Sequence, residues 1–137
     1  IGIPQQNFGT NESIHIIMEY NIKRSEQLKM VPNFHVKTYD NTYVFVSSAP
    51  DIVVQNSGAY RAECVIPPYL LNDEIFTVGV AVTAYGSAGF NTSFYEASSL
   101  QFSVSDDPTI KSRDRYNFGG KIPGIVRPKL QWQVTRI

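Results

Sequence analysis

The sequence predicts an all-β domain, an antiparallel β-sandwich of jelly-roll or immunoglobulin-like type with about eight strands. Three observations lead there. Apolar and polar residues alternate with a period of two through most of the chain. Residues that favour turns interrupt this alternation at short intervals. No stretch keeps a helical period over several turns.

The elements follow in order. From Ser13 to Ile22, Ile14, Ile16, Met18, Tyr20 and Ile22 share one face, while His15, Glu19 and Asn21 take the other. That is the pattern of a half-buried antiparallel strand. Pro32 precedes a second strand, Phe34 to Tyr39, and the turn Asp40-Asn41-Thr42 joins it to Tyr43–Ser47 as a hairpin. The polar stretch from Ser47 to Ser57 reads as loop, with Ile52-Val53-Val54 as a possible short edge strand. Gly58 to Ile66 alternates again, placing Tyr60, Ala62, Cys64 and Ile66 inward. Pro67-Pro68 ends that strand, because proline lacks the ladder donor. Tyr69-Leu70-Leu71 makes at most one helical turn.

The long strand Ile75–Tyr85 follows, with Phe76, Val78, Val80 and Val82 inward and a small, flat outer row of Thr77, Gly79, Ala81 and Thr83. After the Gly86–Gly89 turn, Phe90 to Tyr95 reads as a short strand, and Leu100, Phe102 and Val104 alternate once more. Asp106-Asp107-Pro108 breaks the pattern. A loop rich in Arg, Gly and Pro runs from Thr109 to Pro128, before a last strand with Leu130, Trp132 and Val134 on one side.

The 137 residues suit one domain spanning 1–137, in which 109–137 forms a basic loop and last strand. An apolar fraction of 42% and a charged fraction of 18% describe an ordinary globular chain. The opening Ile1-Gly2-Ile3 is no natural initiator sequence and reads as a fragment of a longer or processed chain. The single cysteine, Cys64, has no partner for a disulfide and falls at an inward position. A net charge of zero argues against nucleic acid as a partner. Up to Pro108 the chain has five basic and eleven acidic residues; after it, seven basic residues face only Asp114. The C-terminal stretch is therefore a basic strap, which lies on its own body or reaches a second subunit or an anionic ligand.

Catalytic and metal patterns are missing. His15 and His35 lie on different strands outside any ligand spacing, so no metal is expected. Asp106-Asp107 lacks the glycine-punctuated loop of a calcium site. There is no Gly-x-Ser-x-Gly elbow, and Gly119-Gly120-Lys121 is followed by Ile rather than Ser or Thr. Two sequons, at Asn11 and Asn91, matter only in a secreted, glycosylated protein. No enzymatic activity and no cofactor are expected. What remains is a binding surface. Amides, hydroxyls and aromatic faces on outward strand positions suit a carbohydrate, and the candidate ligand-binding residues are His35, Tyr39, Tyr43, Thr77, Thr83, Tyr85, Gln131 and Gln133.

The run Gly58-Ala59-Tyr60-Arg61-Ala62-Glu63-Cys64-Val65-Ile66-Pro67-Pro68-Tyr69-Leu70-Leu71-Asn72, leading into the strand Phe76–Val82, resembles one family. That family is the C-terminal carbohydrate-binding domain of the ATP-binding subunit in bacterial O-antigen polysaccharide exporters, the Wzt type. Pro32–Lys37 followed by Val44-Phe45, and the closing Phe102-Ser103-Val104, Gly-rich loop and Leu130–Val134, fit the same pattern. The resemblance implies a non-catalytic domain that binds a lipid-linked O-antigen glycan and presents it to an ABC transporter. It also implies a cytoplasmic location at the inner face of the bacterial inner membrane, and a transporter permease as partner through a parent chain that carries an ATPase. The resemblance further implies a homodimer in which residues after Pro108 pack on the neighbour. The competing readings are an extracellular adhesion or structural sandwich that binds another protein, and a lectin-like domain attached to an enzyme.

Overall fold

The computed structural model describes residues 5–23, 28–50, 56–86, 89–106 and 118–137. Seven strands form in order: β1 (Asn7–Gly9), β2 (Ile14–Ile22), β3 (Lys29–Thr38), β4 (Tyr43–Ser48), β5 (Gly58–Ile66), β6 (Glu74–Gly86) and β7 (Gly89–Ser105). Five make one sheet in the order β1-β7-β6-β3-β4, and β2 pairs with β5 in a second. All pairings are antiparallel except β1 with β7. The expected sandwich is present, with no helix among the described residues.

The inward rows meet as predicted. Ile14, Ile16, Met18 and Ile22 of β2, Ile66 of β5, Phe34 and Val36 of β3, Phe76, Val78 and Val82 of β6, and Phe102 and Val104 of β7 are all buried. Removing that apolar surface from water is the main force holding the two sheets together. β5 lies over β3 and β4, where Ala62 and Cys64 border Pro32, Phe34 and Ser47. β2 lies over β6 and β7, and a cleft of about 620 Å³ separates Met18, Tyr20 and Ile22 from Val80, Val82, Phe94 and Glu96.

The hairpin at Asp40-Asn41-Thr42 is confirmed. The Thr38 amide donates to Thr42 O at 2.8 Å, and Asn41 adopts φ 69°, a conformation asparagine tolerates. The Thr38 hydroxyl donates to the Asp40 carboxylate inside the turn. That bond, first among several, holds the Asp40 carboxyl below its usual range.

Four expectations change. β3 begins at Lys29 and runs through Pro32 instead of starting after it. Pro32 O accepts from the Ala49 amide at 3.0 Å, so its missing N–H faces β4 and the ladder to β6 is unbroken. The two short strands expected after Gly89 are one, β7, interrupted by two irregularities, a bulge opposite Gly79 and a smaller shift between Val82 and Thr83. β1 was not foreseen, because three residues are too few to show a period. Finally, Leu130, Trp132 and Val134 join no strand and are 67%, 87% and 92% exposed. The edge at Ile52-Val53-Val54 and the strap from 109 to 117 lie outside the described residues.

The bulge has a sequence cause. Val78 pairs with Leu100 and Val80 with Glu96, so three residues of β7 stand opposite Gly79. A Cβ on Gly79 would sit 2.6 Å from Ala97 O. Gly79→Ala is therefore expected to destabilise by about 1–3 kcal/mol, the usual cost of overpacking, as read by urea unfolding. A neutral result would show that β7 bends freely there.

The start of the C-terminal segment is clasped to the body. Asn72 is fully buried, and its Nδ2 donates to Ile122 O at 2.6 Å and Gly124 O at 2.7 Å. The Arg127 amide donates to Leu70 O at 2.8 Å, and the Arg127 guanidinium pairs with the buried Asp106 carboxylate. Beyond Pro128 the chain leaves this anchor, with Lys129 Nζ 5.5 Å from the Tyr69 ring centre.

Candidate functional site

The outer face of the five-stranded sheet gathers most of the predicted residues. Phe34 and Val36 point into the core, so Asn33, His35 and Lys37 point out. Tyr39 continues this row, its amide donating to Ile75 O at 3.1 Å. Register then places neighbours across the sheet. Tyr43 of β4 stands beside Lys37, which stands beside Thr77 of β6, which stands beside Gln101 of β7. A parallel row runs from Val46 through His35 to Gly79, and a third from Ser48 through Asn33 and Ala81 to Tyr95.

Tyr95 changes the expected picture. Its ring centre lies 5.4 Å from that of His35, although β6 runs between their strands. This reach is possible because β6 presents only Gly79 and Ala81 there. The small residues that suggested an open platform are thus covered, and Ala81 is 3% exposed. On the other side His35 meets the Tyr43 ring at 5.9 Å. The face is crossed by an aromatic strip, Tyr95–His35–Tyr43, whose two tyrosines are about half exposed.

Polar contacts fix the strip from beneath. Asn33 Nδ2 donates to Val31 O at 3.1 Å and to Thr83 Oγ1 at 3.2 Å. Its Oδ1 is left to accept from His35 Nε2–H at 2.8 Å. The proton therefore sits on Nε2, and Nδ1 faces the Tyr43 hydroxyl at 3.5 Å. Lys37 Nζ lies 4.8 Å from the centre of the Tyr43 ring, a cation–π contact.

Burial, and then the Lys37 ammonium, hold His35 below its free value of 6.5. The unfolded chain consequently binds this proton more readily than the folded one. Stability should fall as pH drops below about 6.5, then level once the folded-state value is passed. His35→Gln should lack this component when urea unfolding is compared across pH. An NMR midpoint for His35 at or above 6.5 would contradict it.

Of the predicted residues, His35, Tyr39, Tyr43, Thr77, Thr83 and Tyr85 lie on or at the end of this face. Gln131 and Gln133 do not; they belong to the terminal segment, which pairs with no strand among the described residues. Sequence reasoning missed Tyr95 and Asn33. Counting alternate residues back from Phe102 does place Tyr95 outward, since β7 gains two residues opposite Gly79 and keeps its phase. What the count does not show is that only Gly79 and Ala81 of β6 stand between Tyr95 and His35. The other histidine, His15, sits on β2, where its Nδ1 lies 2.5 Å from Glu63 Oε2 on an exposed surface. Among the described residues, no three His, Cys, Asp or Glu side chains converge as metal ligands, and no helix is long and apolar enough to cross a membrane.

Neither family models nor characterised proteins match this sequence. Solved structures do. One, described as "Crystal structure of the C-terminal domain of wzt", superimposes with a TM-score of 0.72 over 94% of this chain and 74% of that one, at 14% identity. At that identity the likeness is one of architecture, and the chain has the fold of the Wzt C-terminal domain.

Proposed function

We propose that this domain binds a polysaccharide without transforming it, on the outer face of its five-stranded sheet. The observation that carries this reading is the aromatic strip Tyr95–His35–Tyr43, fixed by Asn33 and Thr83 and bordered by amide and hydroxyl groups. Aromatic faces pack on the apolar side of a sugar ring, and the polar groups around them select its hydroxyls. The shared fold supports O-antigen glycan as the ligand and a cytoplasmic ABC exporter as the setting. In that setting the domain acts at the inner face of the inner membrane, beside an ATPase and a permease, and presents a lipid-linked glycan to them.

Titration of the ¹⁵N-labelled chain with the host's own O-polysaccharide tests this. Resonances of Tyr43, His35 and Tyr95 should shift, and Tyr95→Ala should weaken binding by about tenfold, as expected when an aromatic anchor is truncated. Shifts confined to other surfaces, or produced only by a protein partner, would favour an adhesion domain instead.

The homodimer belongs to the same proposal. Phe94 and Leu100 pair with the buried Val82 and Val78, yet they are 50% and 48% exposed. They lie where the narrower β2–β5 sheet stops short. The terminal segment offers Leu130, Trp132 and Val134 as an uncovered apolar row. A neighbour's segment laid along β2 would cover both. Light scattering should find dimers of the full chain and monomers of a chain ending at Arg127; dimers of both would remove the segment from the interface.

A further inference from the structure

Lys37 is placed as lysines on a sheet surface seldom are. Its side chain is on the outer face, yet the residue is only 8% exposed. Lysine is almost never this buried unless paired. Among the described residues it has no carboxylate partner; its ammonium rests on the Tyr43 ring. Directly across in register stands Thr77, whose hydroxyl is buried and has no hydrogen-bond partner. Buried polar groups are nearly always satisfied, so the Thr77 hydroxyl, with the Lys37 ammonium beside it, calls for a ligand that supplies an acceptor.

The surroundings say which charge that ligand bears. Outward positions on β3, β4 and β6 carry Asn33, His35, Tyr43, Val46, Thr83 and Tyr85 beside Lys37 and Thr77, with no carboxylate. Glu74 and Glu96 fall in the opposite phase of their strands: Glu74 lies 3.7 Å from Lys121, and Glu96 faces the cleft between the sheets. Asp40, in the adjoining turn, is occupied by the Thr38 hydroxyl. Gln101 extends the row across β7 and is exposed.

We infer that the glycan bound on this face bears an anionic substituent, a carboxylate or a phosphoryl group, which the Lys37 ammonium and the neighbouring Thr77 hydroxyl hold beside the Tyr43 ring. This rests on the glycan reading above and specifies its ligand. Tyr43 and His35 pack on the sugar, and Lys37 selects its charge. A neutral polymer would leave the Lys37 ammonium without a counter-ion among the described residues.

The test is a set of NMR titrations of the chain with glucose, glucuronate, glucose 6-phosphate and inorganic phosphate. Glucuronate or glucose 6-phosphate should shift Lys37, Thr77 and Tyr43 and bind about tenfold more tightly than glucose, the gain expected of one charge-assisted hydrogen bond. Preference between the two tells a carboxylate from a phosphoryl ligand. Lys37→Met should abolish that preference while keeping the folded spectrum, and Lys37→Arg should restore part of it. Should Lys37→Met fail to fold, the wild-type comparison of charged with neutral sugar still decides. Equal binding of glucose and the charged sugars would overturn the anionic subsite and leave the glycan reading standing. Phosphate binding at Lys37 with no gain from the sugar would keep the subsite and overturn the glycan reading. Silence from all four would overturn both.

Discussion

Asp106→Ala is expected to destabilise the domain by about 3–5 kcal/mol, because it breaks a buried ion pair by removing one partner. Arg127 and Asp106 side chains are 6% and 5% exposed, with Nη1 and Oδ2 2.5 Å apart. Water cannot take over a charge held that far from the surface. The pair also has a mechanical role. Asp106 follows β7 and Arg127 closes the loop that returns to Leu70 and Asn72, so their attraction ties the sheet end to the base of the terminal segment. Urea unfolding should show the loss, and limited proteolysis should show earlier cutting after residue 118. Replacing both residues with apolar ones of similar size should restore much of the stability, since both buried charges are then removed together. A single-variant loss below about 1 kcal/mol would mean that Arg127 reaches solvent or another partner.

Phe76→Ala should cost about as much, roughly 3–5 kcal/mol, for a different reason. Phe76 is fully buried and stacks on Phe102 with ring centres 5.4 Å apart, and Phe102 in turn meets Phe8 edge-on at 5.9 Å. Truncation removes a large apolar surface and leaves a cavity that β6, paired on both sides, cannot close. Against a total of about 5–15 kcal/mol for a domain, such a loss brings the chain near its unfolding threshold. Phe76→Leu should cost much less, about 1.5 kcal/mol or under, because it keeps most of the volume. The control is Phe94→Ala, at a site half exposed on β7. If that variant lost as much as Phe76→Ala, the centre of the core would have to be placed elsewhere.

The period-two pattern was enough to place Ile14, Ile16, Met18, Phe76 and Val78 inward, because alternation is a local property that survives without knowledge of the partner strand. The hairpin at Asn41 was equally legible, since turn residues act over a few positions. Six of the eight proposed ligand contacts share a face for the same reason. Lys37 stood in the outward row of its strand by sequence alone, but that the residue is largely covered and has no carboxylate partner among the described residues was not visible. That depends on Tyr43 and Thr77, which are brought to it by two different pairings. Tyr95 was hidden because its contact with His35 reaches across a third strand, β6, over Gly79 and Ala81.

The sequence by itself determined the class of fold, the inward and outward rows and the sites of the tight turns, all of which follow from contacts between near neighbours in the chain. Only the tertiary structure decided which rows lie side by side. It laid an aromatic strip over Gly79 and Ala81, covered a lysine beside a threonine that has no acceptor among the described residues, and left Leu130, Trp132 and Val134 outside the sheets those residues form. A strand exists only where another edge receives it, and no reading of one segment in isolation can say whether that edge is there.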